Sequence, residues 1–326
     1  MRTVLKSIGR IINTFWKGVT VLRGVFLNLL FIALVVLAVG LLLSGTEDLF
    51  PSGSALVLAP AGKIVEQSTE TLLVDRFYGT TTGAETVLRD LIDGVDAARN
   101  DPKIKILVLD LEKLEGAGIS QLQEIGEALK RFKAEGKTIV AFGDSYDQRQ
   151  YYLAAHADRV YLHPMGQIWL SGYGVYRTYF KAALEKLLIQ FHVFRVGTYK
   201  SALEPCIRND MSAEARRSNT AWLNVLWEAY KADIADLRGI DAESIDNQIN
   251  TLDTLLADEG GDAAQLALNL GLVDGLKTGD EVRKELMELV GPDDDGRQFK
   301  QIGLQKYLRK ILPEIRRTEP GRGRVG

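Results

Sequence analysis

The run Ile104-Lys-Ile-Leu-Val-Leu-Asp-Leu111 decides the fold class. Apart from Lys105 and Asp110 it is continuously apolar, the pattern of a strand buried on both faces within a parallel sheet. Upstream, Val87, Leu88, Leu91, Ile92 and Val95 recur at helical spacing and predict a helix from Thr86 to Asn100. Downstream a helix runs from Ile119 to Glu135, with Gly136 as its stop. Thr138–Gly143 is a second buried strand, Gln148–Ala157 a short helix, and Arg159–His163 a strand ended by Pro164. Before all of these, Ala55–Ala59 and Gly62–Glu66 read as strands around a turn at Pro60 to Gly62. A further helix is expected from Tyr176 to Ile189, and a strand over His192–Gly197, where Phe194 and Val196 alternate with Arg195. Strands alternating with helices predict right-handed βαβ crossovers, hence an α/β domain.

Beyond Pro205 the chain turns helical. Ala213–Arg238 is a long helix with Ser212 placed as its cap, and Ala264–Leu272 and Asp280–Val290 are two more. On the long helix, Trp222, Leu226 and Tyr230 form a stripe flanked by Leu223 and Trp227, which suits packing more than apolar substrate. Pro292–Gly296 and Arg316–Gly326 are charged and glycine-rich, so residues 292–326 read as a linker.

Val25–Leu43 is apolar except for Asn28. Nineteen residues span about 28 Å, close to the hydrocarbon thickness of a bilayer. Arg2, Lys6, Arg10, Lys17 and Arg23 precede it with no acidic residue, so residues 1–24 are expected on the cytoplasmic side and the body outside. The run exceeds the usual apolar region of a cleaved signal peptide and lacks a small-x-small site. Val4, Ile8, Ile11, Ile12, Phe15 and Trp16 suit either a helix lying on the inner surface or an ordinary basic flank. Residues 44–54 form a linker, and the α/β domain is expected over 55–291.

Composition removes several functions. A net charge of -3 leaves no basic footprint for nucleic acid. A single cysteine, Cys206, allows no internal disulfide or thiolate cluster and reads as a small buried hydrophobe. The three histidines have no ligand spacing, and no nucleotide P-loop occurs, so neither metal nor cofactor is expected.

Chemistry concentrates in Arg195-Val-Gly-Thr-Tyr-Lys-Ser-Ala-Leu-Glu-Pro205, where a glycine hinge is followed by one lysine. Lys200 is a candidate general base; the bland alternative is a surface lysine paired with Glu204. Arg195 and Glu204 form an ion pair or stand solvated.

With Ile207-Arg-Asn-Asp-Met-Ser212, this segment resembles the lysine segment of the signal peptide peptidase A family (protease IV). The likeness extends from about Ala55 to Leu289 and includes Asp101-Pro-Lys-Ile-Lys105 and Leu272-Val-Asp274. It implies a ClpP/crotonase-like fold behind one transmembrane helix, in the bacterial cytoplasmic membrane. Long members of the family carry two such repeats, with the lysine base in the first and the serine nucleophile in the second. The resemblance therefore implies that Lys200 is the base of a Ser/Lys endopeptidase acting on cleaved signal peptides. It also implies assembly into a homo-oligomer, a tetramer, with dyads formed between repeats.

This chain departs from the nucleophile pattern. The place of the serine falls on Gln148, in Asp147-Gln-Arg-Gln-Tyr151, and the glycine pair of the oxyanion hole is degenerate as Leu114-Glu-Gly-Ala-Gly118. Both departures fit a first repeat. The chain stops at Gly323-Arg-Val-Gly326, where a second repeat's first strand would begin, so the resemblance implies a fragment or a split-gene product that is inactive alone.

Lysine at its ordinary pKa near 10.4 is a poor base, and burial would be needed to lower it. Neutral, it accepts the serine proton and returns it to the leaving amine. On this chain Ser201, Ser171 and Ser145 are weighed as nucleophiles. Ser201 adjoins Lys200 on extended backbone and faces the other way, which makes it a support together with Tyr199. Ser171 lies on a glycine-rich loop and Ser145 follows a buried strand; turn and capping roles explain both. Two other functions remain: a non-catalytic membrane scaffold, and a self-contained peptidase using Ser171 or Ser145.

Overall fold

The computed structural model describes residues 2–43, 52–69, 84–197 and 199–318, with side chains from 16–39, 52–69, 84–197 and 199–311. The chain divides into two compact units, Met1–Leu49 and Phe50–Gly326.

The first unit is one helix, α1 (Arg2–Leu43). Within it Trp16–Val39 is long and apolar enough to cross a membrane. These 24 residues measure about 36 Å, more than the hydrocarbon core. The apolar pattern from Val4 to Phe15 lies outside the described side chains.

In the second unit the chain winds through repeated β-β-α turns. The first comprises β1 (Ser54–Leu58), β2 (Gly62–Val65), β3 (Glu85–Val87) and α2 (Leu88–Asn100). The second is β4 (Ile104–Asp110), β5 (Leu114–Gly116) and α3 (Ile119–Ala134), and the third β6 (Thr138–Gly143), β7 (Tyr146–Asp147) and α4 (Gln148–Ala154). β8 (Arg159–Leu162) and β9 (Ile168–Trp169) begin a fourth. After an irregular stretch come α5 (Lys181–Lys186), α6 (Glu204–Ile207), α7 (Ala213–Arg238), α8 (Ala242–Asn250), α9 (Leu252–Asp258) and α10 (Ala263–Asn269). β10 (Gly275–Leu276), α11 (Gly279–Val290), β11 (Gln301–Gly303) and α12 (Leu304–Thr318) complete the order.

The major strands form one parallel sheet in the order β10-β8-β6-β4-β1-β11. The minor strands peel away into a β3-β2-β5 sheet and a β7-β9 pair. The two strands read around Pro60 therefore do not pair with each other: β1 joins the main sheet and β2 the small one.

The apolar run that opened the sequence reading explains the layering. Side chains alternate across a strand, so Leu107 and Leu109 face one core with Leu56, Ile139, Val160 and the helices α2, α3 and α4. Ile106 and Val108 face another with Val140 and with Val282, Leu286 and Val290 of α11. A strand between two cores can spare no polar face.

Residues 299–311 do not continue a linker. β11 extends the main sheet, with Ile302 opposite Leu56, and Leu304, Tyr307 and Leu308 are buried. Gly94 allows that approach, since a Cβ there would lie 2.2 Å from Leu304 Cδ1. The high polar content of the stretch concealed three correctly spaced core contacts.

Two further expectations fail between β9 and α6. The strand over His192–Gly197 is absent, and the helix over Tyr176–Ile189 shrinks to α5. Alternation produces a strand only where a neighbouring strand and a core receive it. Here Phe194 is 98% and Val196 85% exposed, and α5 buries no residue.

Candidate functional site

The position that the resemblance gives to the serine opens α4. Asp147 accepts the amides of Arg149 and Gln150 on Oδ1 at 2.8 Å each, and Gln150 Oε1 accepts the Asp147 amide at 2.8 Å. This reciprocal cap fixes the helix start. The same turn is tied to β5: Gln150 Nε2 donates to Leu114 O at 3.2 Å, and Arg149 Nη1 to Glu115 O at 2.7 Å.

Gln148, 8% exposed, points its carboxamide oxygen at two consecutive amides, Ser171 N at 3.1 Å and Gly172 N at 2.7 Å. Gly172 adopts φ +69, which a glycine supplies without strain. Burial raises the pKa of Tyr173, which follows Gly172. Tyr230 donates its hydroxyl to Gln148 O at 3.0 Å. Two N–H groups converging on one oxygen is the geometry that stabilises an oxyanion in acyl transfer. Here glutamine's own oxygen fills it.

Behind the junction lies an aromatic tier. Trp227 stacks on Tyr230 at 5.3 Å, and Tyr230 packs on Tyr152 at 5.6 Å. Tyr152 donates to Asp233 Oδ2 at 2.6 Å and leans on His156 at 5.4 Å. Burial pushes the His156 pKa down to about 4. Of the aromatic stripe read on the long helix, Tyr230 and Trp227 are packing residues, whereas Trp222 is exposed.

Lys200 lies outside this junction, exposed on the irregular stretch between β9 and α6. Gly197, at φ +110, makes the hinge, and the lysine stem folds back beside it, 3.8 Å from where a Cβ would stand. Arg195 Nη1 donates to Lys200 O at 2.7 Å, so Arg195 does not pair with Glu204. Glu204 is buried and accepts from Ser212 instead: Oγ at 2.5 Å and the backbone amide at 3.2 Å. The pairing of Lys200 with Glu204 is likewise absent. Thr198 is outside the described residues.

Among the described residues no hydrogen bond joins Lys200 to a hydroxyl. Ser145 is exposed and donates to Asp144 O at 2.8 Å. Ser171 is exposed, its amide held by Gln148. Ser201 is half-buried and its carbonyl accepts the Glu204 amide at 3.1 Å; Tyr199 is exposed, and Cys206 is half-buried rather than buried. The sequence reading missed the carbonyl role of Gln148 and the Glu204–Ser212 pair. The second carried a signal, because Ser212 was already legible as a helix cap.

The β-β-α winding, with its minor strands in separate small sheets, defines the ClpP/crotonase class. The comparisons with known proteins narrow it. The profile of Peptidase family S49 matches residues 131–292. The chain is 34% identical over 319 residues to Protease 4 of Salmonella typhi, covering 95% of this chain and 52% of that protein. It is 35% identical over 311 residues to Protease 4 of Haemophilus influenzae, covering 93% and 50%. The chain belongs to peptidase family S49, the signal peptide peptidase A family. It spans about half the length of the curated relatives it matches. Among solved structures, it is similar to a lysine-to-alanine mutant of the membrane-bound stomatin-specific protease 1510-N in complex with a substrate peptide, at 12% identity and a TM-score of 0.39, covering 81% of this chain and 99% of that one. A member of the enoyl-CoA hydratase/isomerase family matches at 14% identity and a TM-score of 0.31, covering 72% and 74%.

Proposed function

We propose that this chain is the lysine-bearing half of a membrane-anchored serine endopeptidase that degrades cleaved signal peptides. Lys200 is the general base, and a serine-bearing second repeat, of the kind found in long family members, supplies the nucleophile. The Lys200 amine takes the serine proton as the hydroxyl attacks the scissile carbonyl and gives it to the leaving amine. The basic residues Arg2, Lys6, Arg10, Lys17 and Arg23 of α1 hold the N-terminus in the cytoplasm and the body outside the inner membrane. Homo-oligomeric assembly, a tetramer, brings the halves of each dyad together, and the apolar peptides left in the bilayer lie within reach of a tethered site.

One observation carries the reading: Lys200 is offered on an exposed segment among unpartnered apolar side chains, with no hydroxyl bonded to it among the described residues. Docking a partner over Phe194, Val196 and Tyr199 would strip water from the segment that carries Lys200. The closed Gln148 junction favours a second reading, a scaffold that only assembles with partners.

Co-expression with a serine-bearing repeat tests both. Peptide hydrolysis should appear and fall on the order of 10²–10⁴-fold in Lys200→Ala. Activity that survives Lys200→Ala would sink the base assignment, and assembly without activity would favour the scaffold. Labelling of this chain alone by a serine-directed fluorophosphonate would overturn the claim that its partner holds the nucleophile.

A further inference from the structure

Glu204 carries a carboxylate where the chain leaves almost no solvent: it is 2% exposed, four residues after Lys200. A buried carboxylate is costly unless its oxygens are hydrogen-bonded. Here Oε1 accepts the Ser212 hydroxyl at 2.5 Å and Oε2 accepts the Ser212 amide at 3.2 Å. Ser212 Oγ in turn accepts Ala215 N at 3.1 Å and caps α7, the end at which a helix favours negative charge. α7 is itself immobilised in the core by Tyr230 and Ile234, both fully buried. On the other side, the Glu204 amide donates to Ser201 O at 3.1 Å, and Arg195 grips Lys200 O. Rigid helix, serine, glutamate and lysine backbone thus form one continuous tie.

We propose that Glu204 is a positioning residue: through Ser212 it fixes the Lys200 segment to the start of α7. The proposal rests on the reading of Lys200 as the base. In the peptidase assembled with its serine-bearing repeat, Glu204→Gln and Ser212→Gly should each lower kcat at least tenfold with KM within about twofold, because a misplacement of the order of 1 Å suffices for such losses. The acid limb of the pH–kcat/KM profile should move to higher pH in Ser212→Gly, as the amine becomes hydrated. Glycine is nearly as good a helix cap as serine, so Ser212→Gly removes the hydroxyl without unravelling α7. Ser212→Thr restores the hydroxyl and should restore kcat. In the chain by itself, hydrogen exchange at the amides of Glu204, Cys206 and Arg208 should quicken at least tenfold in Glu204→Gln. Wild-type kcat and pH profile in Glu204→Gln and Ser212→Gly, alongside a dead Lys200→Ala, would overturn the positioning role and leave the base assignment standing. If Lys200→Ala stays active, the base assignment falls, and unchanged exchange in Glu204→Gln would overturn the tie as well.

Discussion

Two polar regions of this domain have opposite fates. Around Gln148 the hydrogen-bonding groups turn inward: the carboxamide meets two amides, its backbone carbonyl meets Tyr230, and the neighbouring Arg149 and Gln150 bind β5. Around Lys200 the chain turns outward, with Phe194, Val196 and Tyr199 in solvent and Leu188 held at φ 59, 90% exposed. A junction whose groups are satisfied internally has nothing left to offer a substrate. A segment that leaves large apolar side chains in water offers a surface for a partner. On the proposed reading, the reactive group of this chain stands at its rim rather than in its core.

The contrast can be broken or sharpened by substitution. Leu107→Ala, in the strand between the two cores, should cost about 2–5 kcal/mol of unfolding free energy by denaturant titration. Acid should act next through His156. The unfolded imidazole takes a proton near pH 6.5 and the folded one only near 4, so stability is complete above 6.5 and falls as the pH drops towards 4. That loss is on the order of 3 kcal/mol and should vanish in His156→Gln, measured as the difference in midpoint between pH 7 and pH 4. Gln148→Ala should cost about 1–3 kcal/mol, since the Ser171 and Gly172 amides lose their acceptor. Gln148→Ser should cost about the same and gain no fluorophosphonate label, as a serine is too short to reach either amide. Smallest of all, Phe194→Ser should change the stability of the isolated chain by less than about 0.5 kcal/mol, yet abolish co-purification with a serine-bearing repeat. A large stability loss in Phe194→Ser would erase the distinction between the regions.

Much of this was legible beforehand because it depends on local pattern. The uninterrupted run of β4 announced a sheet between two cores, Gly136 ended α3 at φ +76, and Ser212 capped a helix of the expected length. The Arg195–Pro205 segment marked the family. What misled was pattern without context. Phe194 and Val196 alternate as a strand would, but no strand lies beside them. Ile302, Tyr307 and Leu308 sit in a polar stretch, yet close the sheet edge and its flank.

The sequence by itself determined the apolar N-terminal helix, the parallel sheet, the family and the identity of Lys200 as the candidate base, because periodicity and a contiguous motif are properties of neighbours along the chain. Only the tertiary structure decided that Gln148 fills a pair of amides 23 and 24 residues away, and that Glu204 binds Ser212 rather than Arg195 or Lys200. A hydrogen bond is chosen by which groups the packed core leaves within 3 Å of one another, and no spacing along the chain carries that distance.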